Sequence, residues 1–167
     1  MEIEQVRKDI LEWIENFVEK PHPALGGWPP CPYARQARLK NTVQILVGLD
    51  PYYDLKNIGL HGLGKYEVTV YAYNPTEWPY ELFSSSLVQA NEEFLLRNNI
   101  LALEDHPDDP EIVNGISMNQ GKYALALVQS LSDLDAKAKI MAAKGFYDTW
   151  PEEYLTPLFK HRKDPRK

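Results

Sequence analysis

One cysteine in 167 residues leaves no partner for an internal disulfide, so nothing in the chain calls for an oxidising compartment. No apolar stretch approaches the ~20 residues needed to cross a bilayer. The opening MEIEQVRKDILEWIENF carries acids throughout and lacks the apolar run of a secretory signal. Positive charge is also short: 18 Lys and Arg against 24 Asp and Glu leave a net charge of −6. Such a balance gives no basic face for nucleic acid. These shortages set the expectations of a cytoplasmic protein with no nucleic-acid partner and no membrane partner. Familiar catalytic signatures are missing too: no dinucleotide fingerprint, no phosphate-binding P-loop, no G-x-S-x-G elbow and no H-E-x-x-H.

What the chain does have is a 44% hydrophobic content, enough at this length for one domain with its own core. Thirteen prolines, ten tyrosines and four tryptophans gather in loops rather than in a repeat. Ile3, Val6, Ile10, Ile14, Phe17 and Val18 recur at three- and four-residue steps, which predicts an amphipathic helix stopped by Pro21. PHPALGGWPP must then be loop, and residues 32–40 read as a short helix with Cys31 at or beside its N-cap. TVQILVG (42–48), YEVTVYAY (66–73), ILALE (100–104) and KYALALVQ (122–129) read as strands. A long helix follows Pro79, another opens near Ser132, and a last one follows Trp150-Pro151. The stretches 50–65 and 106–121 read as long loops, candidates for function by their length. The order predicts an α+β single domain over residues 1–167: two hairpin-like strand pairs in a four-stranded antiparallel or mixed sheet, with helices mainly on one face.

Cys31 is the sharpest chemical candidate. A helix N-terminus lowers a thiol pKa, and Arg35, four residues on, would share its face and steady an anion. Against this stands a small buried thiol packed between Trp28, Tyr33 and the sheet. Arg35 and Arg38, after Gly26-Gly27, suit a small anionic ligand such as a carboxylate or phosphate; the plain alternative is solvated arginines paired with acids. The second constellation is Glu104, Asp105, His106, Asp108, Asp109 and Glu111, where His106 could serve as general base. The same residues also make an ordinary Asx-rich turn. His22 lies nine residues before Cys31, a spacing that matches no standard zinc motif, and no metal site is expected. The basic tail from His161 to Lys167 reads as solvated. Tyr66, Tyr71 and Tyr73 read as cross-strand packing rather than base-stacking platforms.

Pro30-Cys31-Pro32-Tyr33-Ala34-Arg35 resembles the P-C-x-x-A-R signature near the N-terminus of YqcI/YcgG-type proteins. Some of that family are haem-dependent enzymes that hydroxylate amino-acid nitrogen. The resemblance implies a haem cofactor near Cys31 or a histidine such as His22, with Pro30, Cys31, Ala34 and Arg35 on the signature positions. The segment is also similar to small bacterial and phage domains that pair an N-terminal tryptophan helix with C-P-[FY]-A. Two functional expectations follow. One is an enzyme or small-ligand-binding domain with Cys31 and His106 as catalytic pair and Arg35, Arg38 and Trp28 holding substrate. The other is a non-enzymatic, phage- or host-associated protein that binds a protein partner through the Trp28/Pro29/Pro30 loop and Trp150.

Overall fold

A computed structural model describes all 167 residues. Helix α1 (Ile3–Trp13) is capped by the Glu2 carboxylate, which accepts from the amides of Glu4 and Gln5. It runs into a widened π turn over Ile14–Val18. After the proline loop come α2 (Ala34–Leu39), β1 (Val43–Val47), α3 (Pro51–His61) and β2 (Val68–Tyr73). Helix α4 (Tyr80–Ala90) also ends in a π turn, Asn91–Leu95, and Asn99 in the left-handed region closes that segment before β3 (Ile100–Asp105). Two residue pairs, β4 (Ile112–Val113) and β5 (Ile116–Ser117), form a small separate ladder. Strand β6 (Ala124–Ser130), α5 (Leu131–Ala143) and α6 (Glu152–Leu158) complete the chain.

The α+β class holds, and the sheet is mixed, in the order β1-β2-β6-β3. β1 and β2 run parallel, while β6 is antiparallel to both β2 and β3. The expected hairpin-like pairing of the first two strands fails because the stretch 50–65 is mostly helix. Asp50 caps α3 through the amides of Tyr52 and Tyr53, Pro51 fills the first turn, and Leu55 and Ile58 bury its inner face. A helical crossover permits parallel pairing, which a tight turn does not.

Register assigns the sheet's two faces. Tyr73, Ala102, Ala124, Ala126 and Val128 meet Leu55, Ile58, Phe83 and Leu87 of α3 and α4. Ile45, Val70, Ala72 and Leu125 meet Val6, Ile10 and Ile14 of α1. Helices therefore lie against both faces, and the expectation of one main helical face describes α3 and α4 only. A third cluster forms apart from both: Leu25, Val113, Ala138, Phe146, Tyr147, Trp150, Leu155 and Phe159. Its rings close on one another, with Phe146–Tyr147 at 4.9 Å, Phe146–Trp150 at 5.5 Å and Tyr147–Phe159 at 5.4 Å.

Candidate ligand cleft

Helix α1 packs on the β1 side of its sheet face, and the C-terminal aromatic cluster closes mainly on itself. The β6/β3 half of that face is left incompletely covered. Leu103 and Leu127, paired midway along β3 and β6, remain only half-buried there. Between them and the aromatic cluster opens a cleft of about 850 Å³, lined mostly by apolar side chains. Phe17 and Val18 of the π turn form one wall, Leu101 and Leu103 belong to the floor, and Trp150 and Tyr154 face them from the C-terminal layer.

Three of the side chains that line this cleft carry a buried donor without an acceptor, Trp13 Nε1, Trp150 Nε1 and Arg162 Nε, and each of these atoms is itself closed off from the open space. The Arg162 side chain is only 5% exposed, with Asp135 3.8 Å from Nε, too far for a hydrogen bond. One of its terminal nitrogens donates to the Leu134 carbonyl at 3.3 Å, and the guanidinium sits 5.0 Å from the Phe159 ring centre. Burial pushes its pKa down from the usual arginine value. The basic tail is therefore not simply solvated: Arg162 is part of the interior, and Arg166 pairs with Glu152 and Asp164.

Acids mark the cleft's other end. Glu104, Asp105, Asp109 and Glu111 border it, Glu104 from the α3/α4 side of the β3 edge and Asp105 from the cleft side, and none has a lysine, arginine or histidine ion pair. Asp105 is held by the Asn119 amide at 2.8 Å and the Gln120 backbone N–H at 3.0 Å. Asn119 also donates to the carbonyls of His106 and Asp109 and accepts from Glu111 N, so one side chain ties the 106–120 segment together. Tyr154 donates to Glu111 at 3.2 Å. Burial, reinforced by the Asp105 charge, pushes Glu111 up to about 7. Burial likewise raises Asp105 and Glu104 above their usual range, although Ser84 donates to Glu104. No three of the chain's His, Cys, Asp and Glu side chains are arranged to hold a metal ion.

Of the residues singled out from sequence, Cys31 lines the cleft, and so do Glu104, Asp105, Asp109 and Glu111 of the acidic turn. Its thiol is not activated: burial pushes the pKa up, against the lowering effect of the Tyr33 and Ala34 amides. Helix α2 begins only at Ala34 and makes under two turns, so Cys31 and Arg35 are not neighbours on one helical face. Arg35 is exposed and off the cleft. Arg38 is spent as a staple, with two bonds to Glu19 at 2.9 and 2.7 Å and Glu15 at 3.0 Å. His106 is 1% exposed, with Nε2 2.8 Å from the Trp78 carbonyl and Nδ1 accepting from Asp108 N at 3.0 Å. With both ring nitrogens engaged by backbone it has no lone pair for a general base, and it does not line the cleft. Asp108 is exposed, as an Asx-turn residue should be.

His22 spends Nδ1 capping the turn at Ala24. Trp28 packs edge-on against Phe146 at 5.8 Å, and Trp150 is 8% exposed, so the pair forms core rather than a binding surface. Tyr71 and Tyr73 stack at 6.3 Å within the α3/α4 side, as packing residues. The donor set does not fit a haem. Cys31 favours the neutral thiol, His106 and His22 are engaged elsewhere, and the remaining imidazole on the cleft, His161, is exposed. Sequence reasoning missed Trp13, Arg162, Asn119 and Tyr154. No local signal marks them, because each acquires its role from segments distant in the chain. Comparison with protein-family models, with curated proteins and with solved structures gives no match.

Proposed function

We propose that this chain binds a small, largely apolar molecule in the cleft between the sheet and the C-terminal aromatic layer. The observation that carries this is an open, mostly apolar cleft of about 850 Å³ whose floor includes the half-buried Leu103 and Leu127. Concave apolar spaces of this size are where small ligands bind. The cleft is open to solvent, and water against Leu103 and Leu127 is easily displaced by an apolar body. This is a binding role and assigns no reaction, since Cys31 has no base beside it in the cleft.

The test uses 1-anilinonaphthalene-8-sulfonate, an apolar ring system with an acceptor group, titrated by fluorescence and calorimetry. One saturable site per chain is expected, weakened at least about tenfold in Leu103→Lys, which puts a charge on the apolar floor, with the variant's far-UV circular dichroism unchanged. Non-saturable binding, or saturable binding that Leu103→Lys leaves unchanged, overturns the reading.

A further inference from the structure

Strand register maps the floor of the cleft in rows. The middle row is apolar: Leu103 pairs with Leu127, and Leu127 with Val70. Two residues along, Leu101 pairs with Gln129, and Gln129 with Val68. Gln129 is therefore a polar side chain on the cleft-facing side of β6, and it is only half-buried. Two residues the other way, β3 ends its floor at Asp105. Four residue steps, or about 14 Å, separate the Gln129 row from the Asp105 row.

Helix α5 brings a cation to the Gln129 row. Leu134, Lys137 and Met141 line the cleft at three- and four-residue steps, so they share one face of the helix. A lysine between two apolar residues on an inward stripe stands where an amphipathic helix normally carries another apolar side chain. Its ammonium lies 5.2 Å from the centre of the Tyr33 ring and 3.6 Å from Glu67 Oε1, beyond hydrogen-bond reach. Glu67 is engaged instead by the Thr42 hydroxyl, and it directly precedes Val68 of the Gln129 row. The Lys137 side chain is 30% exposed, so a molecule in the cleft can reach it.

We infer that the ligand is an apolar carboxylate, its body on Leu103 and Leu127 and its head between the Lys137 ammonium and the Gln129 amide. This rests on the ligand-binding role proposed above and specifies the ligand's class and orientation. An ammonium has three N–H donors, so Lys137 can stay beside Glu67 and still donate to the head. Charge sets the direction of entry: the unpaired acids around Asp105 repel an anion from the far end, and Lys137 attracts it to this one.

The experiment compares decanoate, decan-1-ol and decylamine by calorimetry at pH 7.5, below micelle-forming concentrations, on the full chain. The three share one apolar body and differ only in the head. Decanoate should bind at least about tenfold tighter than either of the others, the gain expected of one charge-assisted hydrogen bond. Lys137→Met, which keeps an unbranched stem on the α5 stripe, should lower decanoate to the affinity of decan-1-ol. Binding of decan-1-ol should stay unchanged in that variant, which also reports that it is folded. Lys137→Arg keeps the charge and should keep the preference. Decanoate no tighter than decan-1-ol, decylamine the tightest of the three, or a preference that survives Lys137→Met overturns this inference and leaves the binding role standing. Absence of binding by all three overturns both.

Discussion

Replacing Glu111 by glutamine in the unliganded protein isolates the cost of the acidic end. Glu111 rises from a usual 4.5 to about 7 in the folded chain, so folding holds its proton where the unfolded chain releases it. The contribution of the neutral carboxyl is therefore fully present below about pH 4.5 and is lost as pH climbs through about 7. At 1.36 kcal/mol per pH unit, the ceiling on that loss is ~3 kcal/mol. The side chain is only partly buried, and solvent screening brings the figure to about 1–2 kcal/mol. Glutamine cannot ionise, and its carbonyl still accepts from Tyr154. Urea denaturation followed by tryptophan fluorescence should show Glu111→Gln more stable than the parent by about 1–2 kcal/mol at pH 8, with little difference at pH 4.5. Equal stability gains at both pH values, or a loss at pH 8, would refute the claim that the acidic end lacks a compensating cation.

Asn91 spans the open edge of β3, donating to the Ala102 carbonyl at 3.0 Å and accepting from its N–H at 2.9 Å. Asn91→Leu should cost about 3–4 kcal/mol in the same assay, since it leaves two buried backbone groups unpaired. A Cβ on Gly48 would fall 2.2 Å from the Tyr73 ring, which is itself fixed by its bond to Asp54. Gly48→Ala should therefore lower stability by at least about 2 kcal/mol, measurable as a drop in Tm, whereas a change under ~0.5 kcal/mol would mean that the ring yields freely. Cys31 should react with Ellman's reagent at pH 7.5 far more slowly in the folded chain than in urea, because its thiolate is disfavoured; equal rates would contradict that assignment.

The sequence exposed those features whose signals are local. Strand alternation in VTVYAY, the apolar steps of α1 and the Pro79 helix start all correspond to observed elements. The stretch 50–65 misled because Gly59, Gly62 and Gly64 look like loop residues. Gly59 instead lies inside α3, where a Cβ would come 3.2 Å from Phe94, so the glycine serves close helix packing. Its true start signal, Asp50-Pro51, is as local as any. The error lay in weighting glycine over the cap. His106 failed for a different reason. A histidine among acids reads alike whether its nitrogens face a ligand or the backbone, and only the fold brings the Trp78 carbonyl to Nε2.

The cleft was hidden for a reason built into how the C-terminal segment is stabilised. Residues 146–159 are aromatic enough to satisfy one another: Trp150 meets Phe146, Tyr147 and Tyr154, and Tyr147 meets Phe159. Such a cluster gains its burial energy without pressing on Leu103 and Leu127 of the sheet. The space between the two layers therefore persists as a by-product of where the aromatic contacts close. The same closure buries Arg162, a residue that by sequence alone belongs to a solvated tail, and holds its Nε away from any acceptor. A cleft left between two layers has no signature in a string of letters: its walls, from Phe17 and Leu103 to Trp150 and Tyr154, come together only when the N-terminal helix, the sheet and the C-terminal layer are assembled.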